Sequence, residues 1–270
     1  MSISESIKTD VKTTNGMILP NSFRVVAGPC TVESYEQFAS SARAVKEAGY
    51  EYVRGGAFKP RTSPYSFQGL GEEGLKILSE VSGELGLKAV TEVLDAGDIE
   101  LVMEHAQILQ IGTRNMANFA LLKAVGSATA GSDHGVVLKR GFAATVEEWL
   151  LAAEYVTSAG GDNVVLCERG IRTFETSTRF TLDLSAVIVA KRLTDLPVIV
   201  DPSHAAGRRD LVIPLSKASV AAEADGLIVE SHHEPQEALC DAEQALPAEA
   251  LSGLREALQP FASAMGREVV

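Results

Sequence analysis

Eight short apolar runs recur along the chain from about Phe23 onward, each too continuous to have one face in water. They read as strands over residues 23–27, 52–54, 88–91, 108–111, 136–138, 163–166, 198–200 and 226–229. A strand covered on both faces loses the polar alternation of a half-exposed one and belongs in a parallel sheet. Longer amphipathic stretches separate the runs. Residues 145–157 put Val146, Trp149, Leu150, Ala153 and Val156 on one helical face, and 36–48 read the same way. Eight β units with helical crossovers in about 250 residues predict an α/β protein with a closed (β/α)8 TIM barrel. A doubly wound sheet is the rival, but no Gly-x-Gly-x-x-Gly follows the first run, and the count of eight favours closure.

Upstream, Asn15-Gly16 sits between β-prone flanks in residues 11–19, the signature of a tight hairpin. Residues 1–22 are therefore expected to form a short N-terminal extension with a β-hairpin able to plug the barrel floor, and residues 23–270 the barrel. The small-residue stretch 126–135 is expected to be a mobile loop before the fifth strand.

A formal charge of −12 and a pI near 4.9 argue against nucleic acid or an anionic membrane as partner. Cys30, Cys167 and Cys240 are too few, and odd in number, for a disulfide framework, and so point to a reducing compartment. The chain has no apolar run of membrane-spanning length, and its first residues lack the basic start and apolar stretch of a secretory signal. A cytoplasmic location is the expectation.

Against that acidic background, Arg54-Gly-Gly-Ala-Phe-Lys-Pro-Arg61 packs three cations into eight residues. Asp201-Pro-Ser-His204, followed by Gly207-Arg208-Arg209-Asp210, sets a histidine near two more. The predicted strands end in chemistry-bearing residues: Cys30 follows the first, Arg54 and Lys59 the second, and Glu92 the third. Arg114, Lys139, Arg169, His204 and Glu230 follow the fourth to the eighth, with Asp241 in the loop beyond. That is the face where barrel enzymes build their sites. Arg54, Lys59, Arg61, Arg114, Lys139 and Arg169 would repel one another in an empty pocket, so multiply charged anions such as phosphate esters are the expected ligands.

Cys30, His204, Glu230 and Asp241 combine a thiolate, an imidazole and two carboxylates, a set suited to a borderline divalent ion such as Mn, Fe, Co or Zn. Their spacing is uninformative, and on chemistry alone Cys30 reads equally as a buried thiol and His204 as a loop histidine. His105 and His134 read as surface residues. His232 is placed to face the pocket with His233 turned away, Cys240 reads as packing, and Trp149 as helix core.

These phrases carry a resemblance. Val25-Val-Ala-Gly-Pro-Cys30, Arg54-Gly-Gly-Ala-Phe-Lys-Pro-Arg-Thr-Ser63, Gln110-Ile-Gly-Thr-Arg114, Leu138-Lys-Arg-Gly-Phe142, Leu166-Cys-Glu-Arg169, Val200-Asp-Pro-Ser-His204, Val229-Glu230 and Asp241 carry it, and it covers roughly residues 23–265. The chain resembles the type I, β-subclass 3-deoxy-D-arabino-heptulosonate 7-phosphate (DAHP) synthases. The resemblance implies a transferase that condenses phosphoenolpyruvate with erythrose 4-phosphate and releases phosphate, the first step of the shikimate pathway toward aromatic amino acids. It implies that Cys30, His204, Glu230 and Asp241 hold one divalent metal ion. Arg54, Lys59 and Lys139 would meet phosphoenolpyruvate around its carboxylate, Arg114 and Arg169 its phosphate, and Arg61 and Thr62 the aldose phosphate. Lys59 is the candidate general acid, and Glu92 is grouped with the substrate-binding residues.

Lys59-Pro-Arg-Thr62 separates this reading from the sister 3-deoxy-octulosonate 8-phosphate synthases, which carry an Ala-Asn-Arg-Ser-type phrase there. The alternatives are that sister activity or a specialised-pathway paralogue using another aldose phosphate. Departures from the family pattern include Thr113 for alanine, Ala117 for glutamine, Ser231-His-His-Glu-Pro235 for Val-His-Pro-Glu-Pro, and Cys240-Asp-Ala242 for Ser-Asp-Gly. Membership further implies a homotetramer or homodimer. No regulatory domain is expected within the chain, so feedback control would come from a separate partner protein.

Overall fold

The computed structural model describes residues 17–18, 21–60, 63 and 65–270. Eight parallel strands close on themselves: β1 (Ser22–Gly28), β2 (Tyr52–Arg54), β3 (Lys88–Glu92), β4 (Ile108–Ile111), β5 (Gly135–Lys139), β6 (Val164–Glu168), β7 (Val198–Val200) and β8 (Gly226–His232). Closure is made by β1 on β8, paired from Arg24↔Gly226 to Gly28↔Glu230. Around them run α1 (Tyr35–Glu47), α2 (Glu72–Leu85), α3 (Ile99–His105), α4 (Phe119–Thr129), α5 (Val146–Thr157), α6 (Leu184–Leu193), the short α7 (Pro202–Ala206) and α8 (Arg209–Ala221). A two-residue β9 (Leu246–Pro247) pairs with the end of β8, α9 (Ala250–Ala264) follows, and β10 (Glu268–Val269) pairs with the start of β1. The chain is thus a (β/α)8 barrel, as its apolar runs predict.

Two apolar clusters explain the continuous runs. Alternate strand residues Val26, Tyr52, Val90, Ile108, Val137, Val165, Ile199 and Ile228 fill the barrel. Their neighbours, including Val25, Val53, Ala89, Leu109, Val136, Leu166, Val200 and Leu227, pack outward with the helices in the larger cluster. Side chains on a strand alternate between faces, so the residue two positions after each interior one points inward again, one layer higher. That rule lifts Arg54, Glu92, Gln110, Lys139, Asp201 and Glu230 to the upper rim. At the floor, Arg24 and Lys88 lie over the Tyr52 ring. Met17 is buried among the interior residues, and its carbonyl accepts from Arg24 Nε at 3.1 Å. The predicted hairpin otherwise lies outside the described residues.

Helix starts follow their capping residues. Ser34, Asn118, Thr145, Asp183 and Asp201 each accept a backbone N–H of the first turn, and Thr145 completes a capping box with Glu148. Trp149 is fully buried, with its indole N–H donating to the Leu138 carbonyl at 3.2 Å. One expectation fails. Residues 126–135 are not all loop, because α4 continues to Thr129. A Cβ on Gly126 would come within 2.3 Å of the Val156 carbonyl oxygen. The small residues there let α4 and α5 approach closely, and that packing overrides their weak helix propensity.

Candidate active site

Above the β-strand ends lies a cavity of about 480 Å³. Its wall includes seven cations, Arg54, Lys59, Arg114, Lys139, Arg169, Arg172 and Arg179, against two carboxylates, Glu92 and Asp241. Arg54, Lys139 and Arg169 are buried at 4–5% exposure, so their charges are poorly screened by solvent. All but two of the cations stand at the predicted strand ends. Arg172 and Arg179 enter from the β6–α6 connection, which no strand-end reasoning reaches. Arg61 and Thr62 lie outside the described residues.

An aromatic floor spaces the guanidinium groups. Phe142 and Phe180 stack with ring centroids 5.1 Å apart. Arg114, Arg169 and Arg172 lie 5.7, 5.1 and 4.9 Å from the Phe142 centroid, and Arg169 is 4.2 Å from that of Phe180. Ring faces carry partial negative charge, so like-charged arginines can gather there without carboxylate partners. Among the described residues Arg169 donates to backbone carbonyls, of Gly170 and His204, at 3.4 Å. The arrangement keeps guanidinium donors available for an anion. Glu92, also lining the cavity, accepts from Gln110 Nε2 at 3.3 Å.

Beside the cations, electron-rich side chains converge. Cys30 Sγ lies 3.1 Å from Asp241 Oδ2, and His204 Nε2 lies 3.2 Å from Glu230 Oε1 and 4.0 Å from Asp241 Oδ2. Cys30, Cys240 and Asp241 form one compact group of donors and His204, Glu230 and Asp241 another, with Asp241 common to both. Cys240 is therefore part of the cluster and not packing alone. Lys59 Nζ sits 2.7 Å from Cys30 Sγ and 3.4 Å from Asp241 Oδ2, and Arg54 Nη1 is 2.9 Å from Glu230 Oε1.

The second ring nitrogen of His204, Nδ1, faces Asp201 Oδ2 at 2.7 Å, and Lys139 Nζ shares that oxygen at 2.6 Å. With Nδ1–H donated to Asp201, Nε2 presents a lone pair toward two carboxylates. Three lone-pair donors facing one another, with a thiol alongside, form a site that calls for a cation. Sulfur, imidazole and carboxylate together suit a divalent transition ion, and the imidazole is oriented by a carboxylate as metal-bound histidines usually are. The residues therefore fit a metal.

The charges agree. Burial pushes the His204 ring below its ordinary range, which favours the neutral, ligating form. Burial opposes the Glu230 carboxylate, but His204 and Arg54 outweigh it and hold the group low. At Asp241 burial is likewise outweighed, by Lys59, His204 and Arg179. Burial pushes the Cys30 thiol well up, and Cys240 and Glu230 add to this. Burial also opposes the Lys59 ammonium, yet Cys30, Glu230 and Asp241 hold it above its usual range, so it is protonated at neutral pH.

Several sequence expectations change. Arg208 and Arg209 are not at the anion cavity. Arg208 pairs with Asp210 at the surface, while Arg209 binds the carbonyls of Ala242 and Ala245. His232 is buried but does not line the cavity, and His233 stacks on it at 4.6 Å instead of facing away. His105 meets Ser79 Oγ at 2.9 Å, and His134 meets the Met103 carbonyl at 3.0 Å. Asp201, Arg172, Arg179 and Gln244 were not singled out by sequence. Asp201 was legible, because it sits inside the Asp-Pro-Ser-His phrase at the inward parity set by Ile199.

Among the described residues no helix is long and apolar enough to cross a membrane. The chain matches the model of the DAHP synthetase I family over residues 6–266. It is 50% identical over 260 residues to the phospho-2-dehydro-3-deoxyheptonate aldolase of Thermotoga maritima, covering 96% of this chain and 74% of that one. A crystal structure of the T. maritima enzyme, DAHP synthase, is similar with a TM-score of 0.89 at 49% identity, covering 94% of this chain and 73% of that chain. A truncated form of the T. maritima enzyme gives 0.86 at 47% identity, covering 94% and 91%. The 2-dehydro-3-deoxyphosphooctonate aldolase of Syntrophotalea carbinolica is more distant, at 33% identity over 241 residues, covering 83% of this chain and 84% of that one.

Proposed function

The chain belongs to the DAHP synthetase I family, and from that membership we propose how its own residues carry the family's reaction. It is a transferase that makes 3-deoxy-D-arabino-heptulosonate 7-phosphate from phosphoenolpyruvate and erythrose 4-phosphate. The octulosonate alternative is the weaker reading, since identity falls from 50% to 33% between the two kinds of relative.

Arg54, Lys59 and Lys139 take the carboxylate end of phosphoenolpyruvate, and Arg114 and Arg169 take its phosphate. The division between the two ends follows the family pattern; the observation that carries an anion site is the excess of cations lining the cavity, seven against two carboxylates. Buried, preorganised donors hold a phosphate both as substrate and as leaving group without reorganising as charge moves. Arg61 and Thr62 are assigned to the aldose phosphate by family pattern. Glu92 offers the cavity an acceptor for a hydroxyl or a water.

In the reaction C3 of phosphoenolpyruvate bonds to the aldehyde carbon of erythrose 4-phosphate. The aldehyde oxygen gains a proton, for which the Lys59 ammonium is the donor. Water adds at C2, and phosphate leaves as C2 becomes the ketone. Much of the acceleration comes from holding two mutually repelling esters in register. A divalent ion, Mn, Fe, Co or Zn, bound by Cys30, His204, Glu230 and Asp241 would supply Lewis acidity at the aldehyde oxygen.

Residues 23–270 act as the catalytic unit, in the cytoplasm and as a homo-oligomer. The test of substrate is an aldose panel. Phosphate release from phosphoenolpyruvate is compared with erythrose 4-phosphate, arabinose 5-phosphate and ribose 5-phosphate as acceptors. Erythrose 4-phosphate should give the highest kcat/KM; preference for arabinose 5-phosphate would move the chain to the sister activity.

A further inference from the structure

Each proposed carboxylate ligand uses its two oxygens differently. Glu230 turns Oε1 toward His204 Nε2, at 3.2 Å, while Oε2 accepts a short hydrogen bond from Gln244 Nε2. Asp241 turns Oδ2 toward Cys30 Sγ and His204 Nε2, at 3.1 and 4.0 Å, while Oδ1 accepts from Arg179 Nη1 at 3.0 Å. The same Nη1 also donates to Gln244 Oε1 at 3.0 Å. Arg179 and Gln244 thus form one bridge that holds the outward oxygen of both carboxylates, while the inward oxygens face the shared centre, where Arg54 Nη1 and Lys59 Nζ approach them at 2.9 and 3.4 Å.

We propose that Arg179 and Gln244 are a clamp that presets Asp241 and Glu230 for the divalent ion, a role that rests on the metal reading above. Gln244 is buried at 2% exposure, and an amide there is costly unless both of its ends are used. Both ends are used, one on Glu230 and the other facing Arg179. Asp241 has φ of 54°, in the left-handed region that Asp tolerates better than most side-chain-bearing residues. Contacts on both sides fix the loop in that conformation. Arg179 holds it from one side, and Arg209 braces the loop from below through the carbonyls of Ala242 and Ala245.

The clamp is itself anchored to the helix that carries His204. The backbone N–H groups of Arg179 and Phe180 donate to the carbonyls of Ala206 and Ala205, at 3.0 and 2.8 Å. The β6–α6 connection, α7 and the loop after β8 are thereby fixed to one another, and each supplies part of the site. Groups that orient metal ligands in this way commonly change metal affinity by roughly 10- to 100-fold when removed.

The test measures Mn2+ and Co2+ dissociation constants by competition with a chelator for the wild type, Arg179→Gln, Gln244→Leu and the double variant. His204→Ala and Cys30→Ser serve as references. Arg179→Gln and Gln244→Leu should each weaken binding about 10- to 100-fold. The double variant should lose little more than the worse single one, because the two residues act as a unit. The visible spectrum of the Co2+ form should change in both single variants, and Arg179→Lys should restore part of the affinity. Melting temperatures of the metal-free proteins separate misfolding from lost preorganisation. Arg179 is exposed enough that Arg179→Gln is expected to fold, so it keeps the test decisive if Gln244→Leu does not. Wild-type affinity and an unaltered Co2+ spectrum in Arg179→Gln would overturn the clamp. Wild-type affinity in His204→Ala and Cys30→Ser would instead overturn the metal reading beneath it.

Discussion

Asp201 and His204 stand three positions apart at the start of α7, and one carboxylate grips the other residue twice. Oδ1 caps the His204 backbone N–H at 2.9 Å, while Oδ2 takes the ring Nδ1 at 2.7 Å. The Lys139 ammonium shares Oδ2 at 2.6 Å, which ties the proposed metal side of the cavity to its anion side. Burial opposes the Asp201 carboxylate, but His204 and Lys139 together keep it well below the ordinary range.

Asp201→Asn should therefore damage both halves of the site at once. An amide lacks the charge that balances Lys139, and it can turn an N–H toward Nδ1 and so favour the wrong tautomer. Metal affinity is expected to fall roughly 10- to 100-fold, and KM for phosphoenolpyruvate to rise. Chelator competition and steady-state kinetics on the same preparation check this. Unchanged affinity would show that the imidazole needs no orienting carboxylate.

Lys59 bridges the thiol, the Asp241 carboxylate and the cavity. Lys59→Met keeps most of the side chain's length and removes the proton. If Lys59 is the general acid, kcat should drop roughly 100- to 10,000-fold. Metal should still bind, because no proposed ligand is lost. A kcat within threefold of wild type would remove Lys59 from the chemistry.

Arg172 is exposed yet lies over the same Phe142 ring as Arg114 and Arg169. It is placed to meet a phosphate entering or leaving, not one held at the base of the cavity. Arg172→Gln is expected to raise KM for phosphoenolpyruvate and weaken inhibition by inorganic phosphate, each about 3- to 10-fold, with kcat within twofold; the expectation is that of one partly solvated charge-assisted contact of about 1 kcal/mol. Initial-rate measurements with added phosphate decide it. A fall in kcat with KM unchanged would instead place Arg172 in the transition state.

What the sequence disclosed about this site follows from a single geometric rule. Barrel residues such as Tyr52 and Ile199 set a parity, and two positions later that parity delivers Arg54 and Asp201 to the rim. Cys30, Glu92, Lys139 and Glu230 were legible because they sit at or just past strand ends. Arg179 and Gln244 were not, because their positions depend on how the β6–α6 connection and the loop after β8 fold back on α7. No local pattern encodes such docking. The helical character of residues 126–129 was hidden for a related reason, since the contact with Val156 that favours it is tertiary.

Cys240, next to Asp241, brings a second thiol within 4.8 Å of Cys30. Both thiols are buried, and no disulfide joins them. On the proposed reading, a bound metal would commit Cys30 as a ligand and shield it. Once a chelator has removed the ion, peroxide should oxidise the pair, two thiols and one peroxide giving a disulfide and two waters. Activity is expected to be lost on chelation and to return with Mn2+ or Co2+. After peroxide treatment of the metal-free protein it should return only when a thiol reductant is added first. Intact mass should show the loss of two hydrogens, and peptide mapping should join Cys30 to Cys240. Cys240→Ser should remove the reductant-dependent recovery while keeping the metal-dependent one. Peroxide-treated metal-free protein that regains full turnover on adding metal alone would show that the two sulfurs, though close, cannot bond.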